Sequence, residues 1–114
     1  MKFKDGVYTQ VFKMQNGQPV NLAPTDQITV AMHEADRIHR EMTGQEMVIT
    51  AIFDGTHMEG SKHYTGNAFD VRRWYVGSRV KEYIARLKSA LGPNYDVVNE
   101  PTHIHIEYDP KLPN

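Results

Sequence analysis

The sequence predicts an α+β domain, a small antiparallel sheet flanked by two main helices. Three observations lead there. Ile28 to Met42 and Val80 to Leu91 repeat apolar residues at the 3.6-residue period of a helix. Short runs of strand-forming residues lie around them, and Asn16-Gly17 joins two of these runs with a strong hairpin signal. At 114 residues, 39% of them hydrophobic, the chain is long enough for one domain with a modest core.

Val7 to Met14 reads as the first strand, with Val7, Thr9 and Val11 alternating against Tyr8, Gln10 and Phe12. Gln18 to Leu22 reads as its return, kept to an edge by Pro19. Pro24-Thr25-Asp26 opens a helix, Thr25 as N-cap and Asp26 at the positive end of the dipole. Ile28, Ala31, Met32, Ala35, Ile38 and Met42 form its stripe, and Gly44 ends it. His33 and His39 lie six positions apart on this helix. That is about 600° of rotation, so they do not share a face. His33-Glu34 is followed by Arg37 where a zincin needs a second histidine, and both histidines read as solvent-facing.

Glu46 to Phe53 is a nearly continuous apolar strand, and Asp54 to Gly60 a polar loop. Asn67 to Arg72 reads as the next strand. Gly77-Ser78 begins the second helix, whose stripe is Val80, Tyr83, Ile84, Leu87 and Leu91; Gly92-Pro93 stops it. Tyr95 to Val98 and His103 to Tyr108 close the chain as two strands.

Composition narrows the function. The net charge is −1 with no basic run, which argues against a nucleic-acid partner. There is no cysteine, so any metal must be held by His, Asp or Glu. No apolar run is long enough to insert in a membrane, and the amino terminus lacks the apolar core of a signal peptide. Synthesis in the cytoplasm without an export signal is the expectation.

Two polar clusters carry the chemistry. The first is Ser61-Lys62-His63-Tyr64-Thr65-Gly66-Asn67-Ala68-Phe69-Asp70, with His63 and Asp70 seven positions apart across a small-residue turn. The second is Glu100-Pro101-Thr102-His103-Ile104-His105-Ile106-Glu107. A zinc hydrolase needs three protein ligands, an open position for water and a nearby proton acceptor. His63 and Asp70 supply two ligands, and Gly66 permits the bend that lets them meet. On a strand His103 and His105 share one face while Ile104 and Ile106 share the other. Either histidine can be the third ligand, leaving the other beside the open position. Without a metal, the same residues would be incidental surface histidines.

The first cluster resembles the signature of the M15 metallopeptidases, the family of D-Ala-D-Ala carboxypeptidases, VanX/VanY-type enzymes and phage L-alanyl-D-glutamate endolysins. The likeness covers about residues 46 to 110 of a single zinc peptidase domain spanning 1–114. It implies a hedgehog/D-Ala-D-Ala-peptidase-like fold and one zinc ion per chain. His63 and Asp70 would bind that ion, and Ser61 would hydrogen-bond the substrate. Members with a His-x-His pair use the second histidine, here His105. Members of the VanY type read Glu-Pro-x-His, which would make His103 the ligand and Glu100 the base. The favoured assignment is His105 as ligand, with Glu100 and His103 catalytic.

The resemblance further implies a monomeric hydrolase of peptidoglycan stem peptides, an endopeptidase in the first instance. It would reach the cell wall by phage-driven release. Close alternatives are a D-Ala-D-Ala carboxypeptidase or dipeptidase, and a zinc-containing binding module without turnover. Many relatives carry a carboxylate-gripping arginine before the zinc motif. Phe53 to Gly60 has none, and Lys62, Arg72 and Arg73 are the nearby cations.

Overall fold

The computed structural model describes residues 1–53 and 62–111. Its strands are β1 (Lys2–Phe3), β2 (Val11–Gln15), β3 (Gln18–Leu22), β4 (Val48–Ala51), β5 (Ala68–Arg72), β6 (Tyr95–Asn99) and β7 (His103–Tyr108). The helices are α1 (Asp26–Thr43) and α2 (Val80–Leu91), with 3₁₀ turns at Lys62–Thr65 and Gly77–Arg79. The fold is α+β, with a five-stranded sheet in the order β1-β4-β5-β7-β6 and a separate β2-β3 hairpin.

The sheet is mixed, where a wholly antiparallel one was expected. β1 runs parallel to β4, pairing Lys2 with Val48 and Phe3 with Ile49. The hairpin and α1 separate these two strands, and a crossover of that length is what parallel neighbours require. The remaining neighbours are antiparallel.

The hairpin turns where expected, with Asn16 and Gly17 both at positive φ (52° and 75°) and Gln15 opposite Gln18. That is the backbone a two-residue hairpin loop demands. Its first strand starts at Val11 rather than Val7. Residues 4–7 form a turn, Val7 N–H to Lys4 C=O at 3.2 Å, and the partner strand is only five residues long.

Thr25 caps α1, its Oγ1 accepting from the Ile28 N–H at 3.3 Å, and Gly44 closes it at φ 72°. The α1 stripe and Val80, Tyr83 and Leu87 of α2 pack on one sheet face, against Ile49, Phe69, Val71, Val97, Ile104 and Ile106. Tyr83 is fully buried, and its hydroxyl donates to the Ala35 carbonyl at 3.0 Å. The pleat sends alternate residues of β5 and β7 to the other face. There Asp70 lies opposite His105, and Arg72 opposite His103. No helix among the described residues is long and apolar enough to cross a membrane.

His39 corrects the sequence reading. His33 is exposed, but His39 is 0% exposed. It sits four residues after Ala35 and three before Met42, so it belongs to the apolar stripe. Its Nδ1 donates to the Gln45 carbonyl at 2.7 Å, and its Nε2 meets no polar partner among the described residues. Tyr75 and Tyr83 stand edge-on to the ring. Burial pushes the His39 pKa down, against the opposing pull of the Gln45 carbonyl.

Candidate metal centre

His63 is delivered by the 3₁₀ turn Lys62–Thr65, and Asp70 by the middle of β5. Gly66 joins them. It has φ +75°, and a Cβ there would lie 2.6 Å from the Ala23 carbonyl oxygen and 3.2 Å from Pro24 Cα. Its own carbonyl accepts from the Thr25 N–H at 3.1 Å, which ties the turn to the cap of α1. A side chain is excluded twice over, by conformation and by space. His105 arrives from β7, held by the β5–β7 ladder opposite Asp70.

Three ligand-type atoms converge. His63 Nε2 lies 3.1 Å from Asp70 Oδ1, His105 Nδ1 lies 3.0 Å from the same oxygen, and the two nitrogens are 3.2 Å apart. Three vertices of a tetrahedron around a zinc-sized ion would be separated by about 3.3 Å. His63 and Asp70 are buried and His105 is half-buried.

The outer nitrogens decide what the inner ones can be. His63 Nδ1 donates to the Ile52 carbonyl at 2.7 Å. His105 Nε2 donates to Glu107 Oε1 at 2.7 Å. With those protons in place, neutral rings present lone pairs inward, beside a carboxylate oxygen. Such a set suits a cation between its inner atoms. A proton on His105 Nδ1 accounts for one edge of the triangle; a metal ion accounts for all three. A ligating histidine with its far nitrogen tied to a carbonyl or carboxylate is the usual support of a metal site.

Without a metal, a proton between an imidazole and Asp70 takes the place of the ion. Burial then raises the Asp70 pKa, but hydrogen bonds with His105 and His63 and the nearby imidazoles outweigh it and hold the carboxyl well below the usual range. The hydrogen bond to Asp70 raises the His105 pKa, burial lowers it, and Glu107 raises it again. The trio therefore contains a firmly ionised carboxylate.

His103 stands apart. Its Nε2 is 3.6 Å from Asp70 Oδ2, the other carboxylate oxygen, and its Nδ1 is 3.0 Å from the Thr102 hydroxyl. The structure thus groups His105 with His63 and Asp70 and leaves His103 at the rim. Glu100 lies in the turn between β6 and β7, where its backbone N–H donates to the His103 carbonyl at 2.9 Å. Among the described residues its carboxylate makes no hydrogen bond or ion pair and does not join the trio. Ser61 lies outside the described residues. Sequence reasoning gave no role to Glu107 or to the Ile52 carbonyl. Period two from His105 already placed Glu107 on the same face; a backbone carbonyl leaves no signal.

A second acidic group, Asp96, Glu107 and Asp109, already has partners within the chain. Lys111 Nζ bridges Asp96, at 3.1 Å, and Asp109, at 2.9 Å, while Glu107 holds His105. Comparison with family models, curated proteins and solved structures gives no match. The reading of the site rests on its own atoms and on the motif.

Proposed function

We propose that this chain is a zinc-dependent peptidase of the M15 type, acting on the peptide stems of bacterial cell wall as an endopeptidase. Its sheet and helices would be a version of the hedgehog/D-Ala-D-Ala-peptidase arrangement. The observation that carries the reading is the triangle of His63 Nε2, Asp70 Oδ1 and His105 Nδ1, with each imidazole's far nitrogen already donating. Two imidazoles and one carboxylate are a ligand set that suits zinc and leaves a fourth position open.

Zinc held there supplies polarisation of a scissile carbonyl and lowers the pKa of a water toward about 7. The chain's own residues do the rest. Asp70, ionised and buried, anchors the site and offers its second oxygen toward His103. His103, partly exposed at the rim, can take a proton from the attacking water and return it to the leaving amine. Glu100, on the same turn, is the alternative acceptor. Ile52 and Glu107 keep the imidazole tautomers fixed through the cycle.

The test is metal analysis followed by incubation with purified peptidoglycan and mass spectrometry of the fragments. One zinc per chain and new stem-peptide termini are expected. A zinc-loaded protein that releases nothing from intact wall or free stem peptides would instead be a binding module. Cationic residues beside the site, Lys4 and Arg72, favour a second reading, a D-Ala-D-Ala carboxypeptidase or dipeptidase. Release of D-Ala from free pentapeptide, with no cut in intact wall, would select it.

A further inference from the structure

Trp74 is the chain's single tryptophan, and it is 72% exposed. One exposed aromatic residue signifies little by itself. Its place is what matters. It stands two residues beyond β5 and lines a groove of about 330 Å³ together with Asp70 and His103, beside the ligand trio. We propose that Trp74 is a stacking platform for a sugar ring, and that this groove takes the glycan strand from which a stem peptide hangs. That the sugar is cell-wall glycan rests on the peptidase reading.

The indole is held from one side. The Arg72 guanidinium carbon lies 3.9 Å from its ring centre, which covers one face and leaves the other to solvent. A platform fixed in this way loses little freedom when a ligand settles on it.

The surroundings of the ring are polar. Among the described residues of the lining only Ala51 joins Trp74 as an apolar side chain, while Thr50 and Thr102 bring hydroxyls and Lys4 an ammonium group. An apolar peptide side chain is held by a concavity of mostly apolar groups. One flat aromatic face ringed by hydrogen-bonding groups fits a pyranose instead. The C–H face of such a sugar meets the negative face of the indole, and its hydroxyls reach the polar rim.

The space also continues. A second hollow of about 380 Å³, with Phe3 and Val48 in its lining, shares Lys4 and Arg72 with the first. The two make one trough from Asp70 and His103 across the sheet to β1, with room for a run of sugars.

The lone tryptophan reports its own occupancy. The zinc-loaded full chain is titrated with chitotetraose, a neutral N-acetylglucosamine tetramer with no carboxylate and no peptide, and indole emission is followed. A saturable change is expected, and none with a single-stranded oligonucleotide. In calorimetry, a stem peptide still attached to its glycan should bind about tenfold tighter than the same peptide free, the worth of one good aromatic stacking contact.

Trp74→Ala should remove that advantage with zinc content unchanged, and Trp74→Tyr should keep part of it. No response to the tetramer, a response to the oligonucleotide alone, equal binding of attached and free peptide, or an advantage surviving in Trp74→Ala overturns the platform. A wild-type protein that cuts wall peptides but ignores the tetramer sinks the platform alone. One that binds the tetramer through Trp74 but cuts nothing sinks the peptidase reading alone.

Discussion

Glu107 never touches the trio's inner atoms, yet its loss should weaken metal binding. Its Oε1 accepts from His105 Nε2 at 2.7 Å, and its side chain is only 21% exposed. A hydrogen bond to a charged acceptor at such a site is worth about 1.5–3 kcal/mol. Glu107→Ala removes it, frees the ring to turn and lets the proton move to Nδ1, the atom that must stay bare. The expected cost is about 10- to 100-fold in zinc affinity. Glu107→Gln keeps an acceptor but loses the charge, a difference of about 1 kcal/mol, or roughly fivefold.

The assay is competition for zinc against a chromophoric chelator at fixed pH. Asp96→Ala is the control. Asp96 faces Glu107 across the β6–β7 ladder but bonds Lys111, so its loss should shift affinity by no more than about twofold. Wild-type zinc affinity in Glu107→Ala, or an equal loss in Asp96→Ala, would refute the claim that the far nitrogen fixes the ligand.

His63→Ala and Asp70→Ala should each lose stoichiometric zinc and all hydrolysis, and either variant retaining both would misplace the site. Glu100→Gln should keep zinc and lose about 10²-fold in turnover if Glu100 is the base; full activity with loss in His103→Ala instead assigns the base to His103. Gly66→Ala should lower stability by at least about 1–2 kcal/mol in chemical denaturation, from positive φ alone before the clash with the Ala23 carbonyl. Burial holds the folded His39 pKa below the ordinary histidine value, so the unfolded chain binds the proton more readily. Its contribution is complete above about pH 6.5 and is lost as pH falls toward the folded value. His39→Asn, which can still donate to the Gln45 carbonyl, should flatten the fall in the denaturation midpoint below pH 6.5; an unchanged slope would dismiss His39 as its source.

Most of the fold is legible in the residues that repeat. The α1 and α2 stripes, the Thr25 cap, the Gly44 stop and the Asn16-Gly17 turn all appear where local rules put them. β1 is not legible, because two residues carry no period and their pairing is set by a strand more than forty positions away. His39 shows a subtler failure. Its spacing from His33 bears only on whether the two can share a ligand; its spacing from Ala35 and Met42 puts it on the core face. A polar residue in an apolar stripe is easily counted with the solvent face.

At the site, His63 and Asp70 are legible because a short turn joins them. The choice between His103 and His105 is not, because both share a strand face. What the strand pattern leaves out is the pairing, which sets His105, and not His103, opposite Asp70. Ile52 contributes through its backbone, which any residue there could supply. Lys4 and Arg72 line one groove because β4 pairs with β1 on one side and β5 on the other.

The most direct test is the zinc-edge X-ray absorption spectrum of the metal-loaded protein. The account predicts four-coordinate zinc with two imidazole nitrogens and two oxygens at about 2.0–2.2 Å, one oxygen from Asp70 and one from solvent. A spectrum with no histidine scattering, or a protein that retains no stoichiometric zinc, would contradict it.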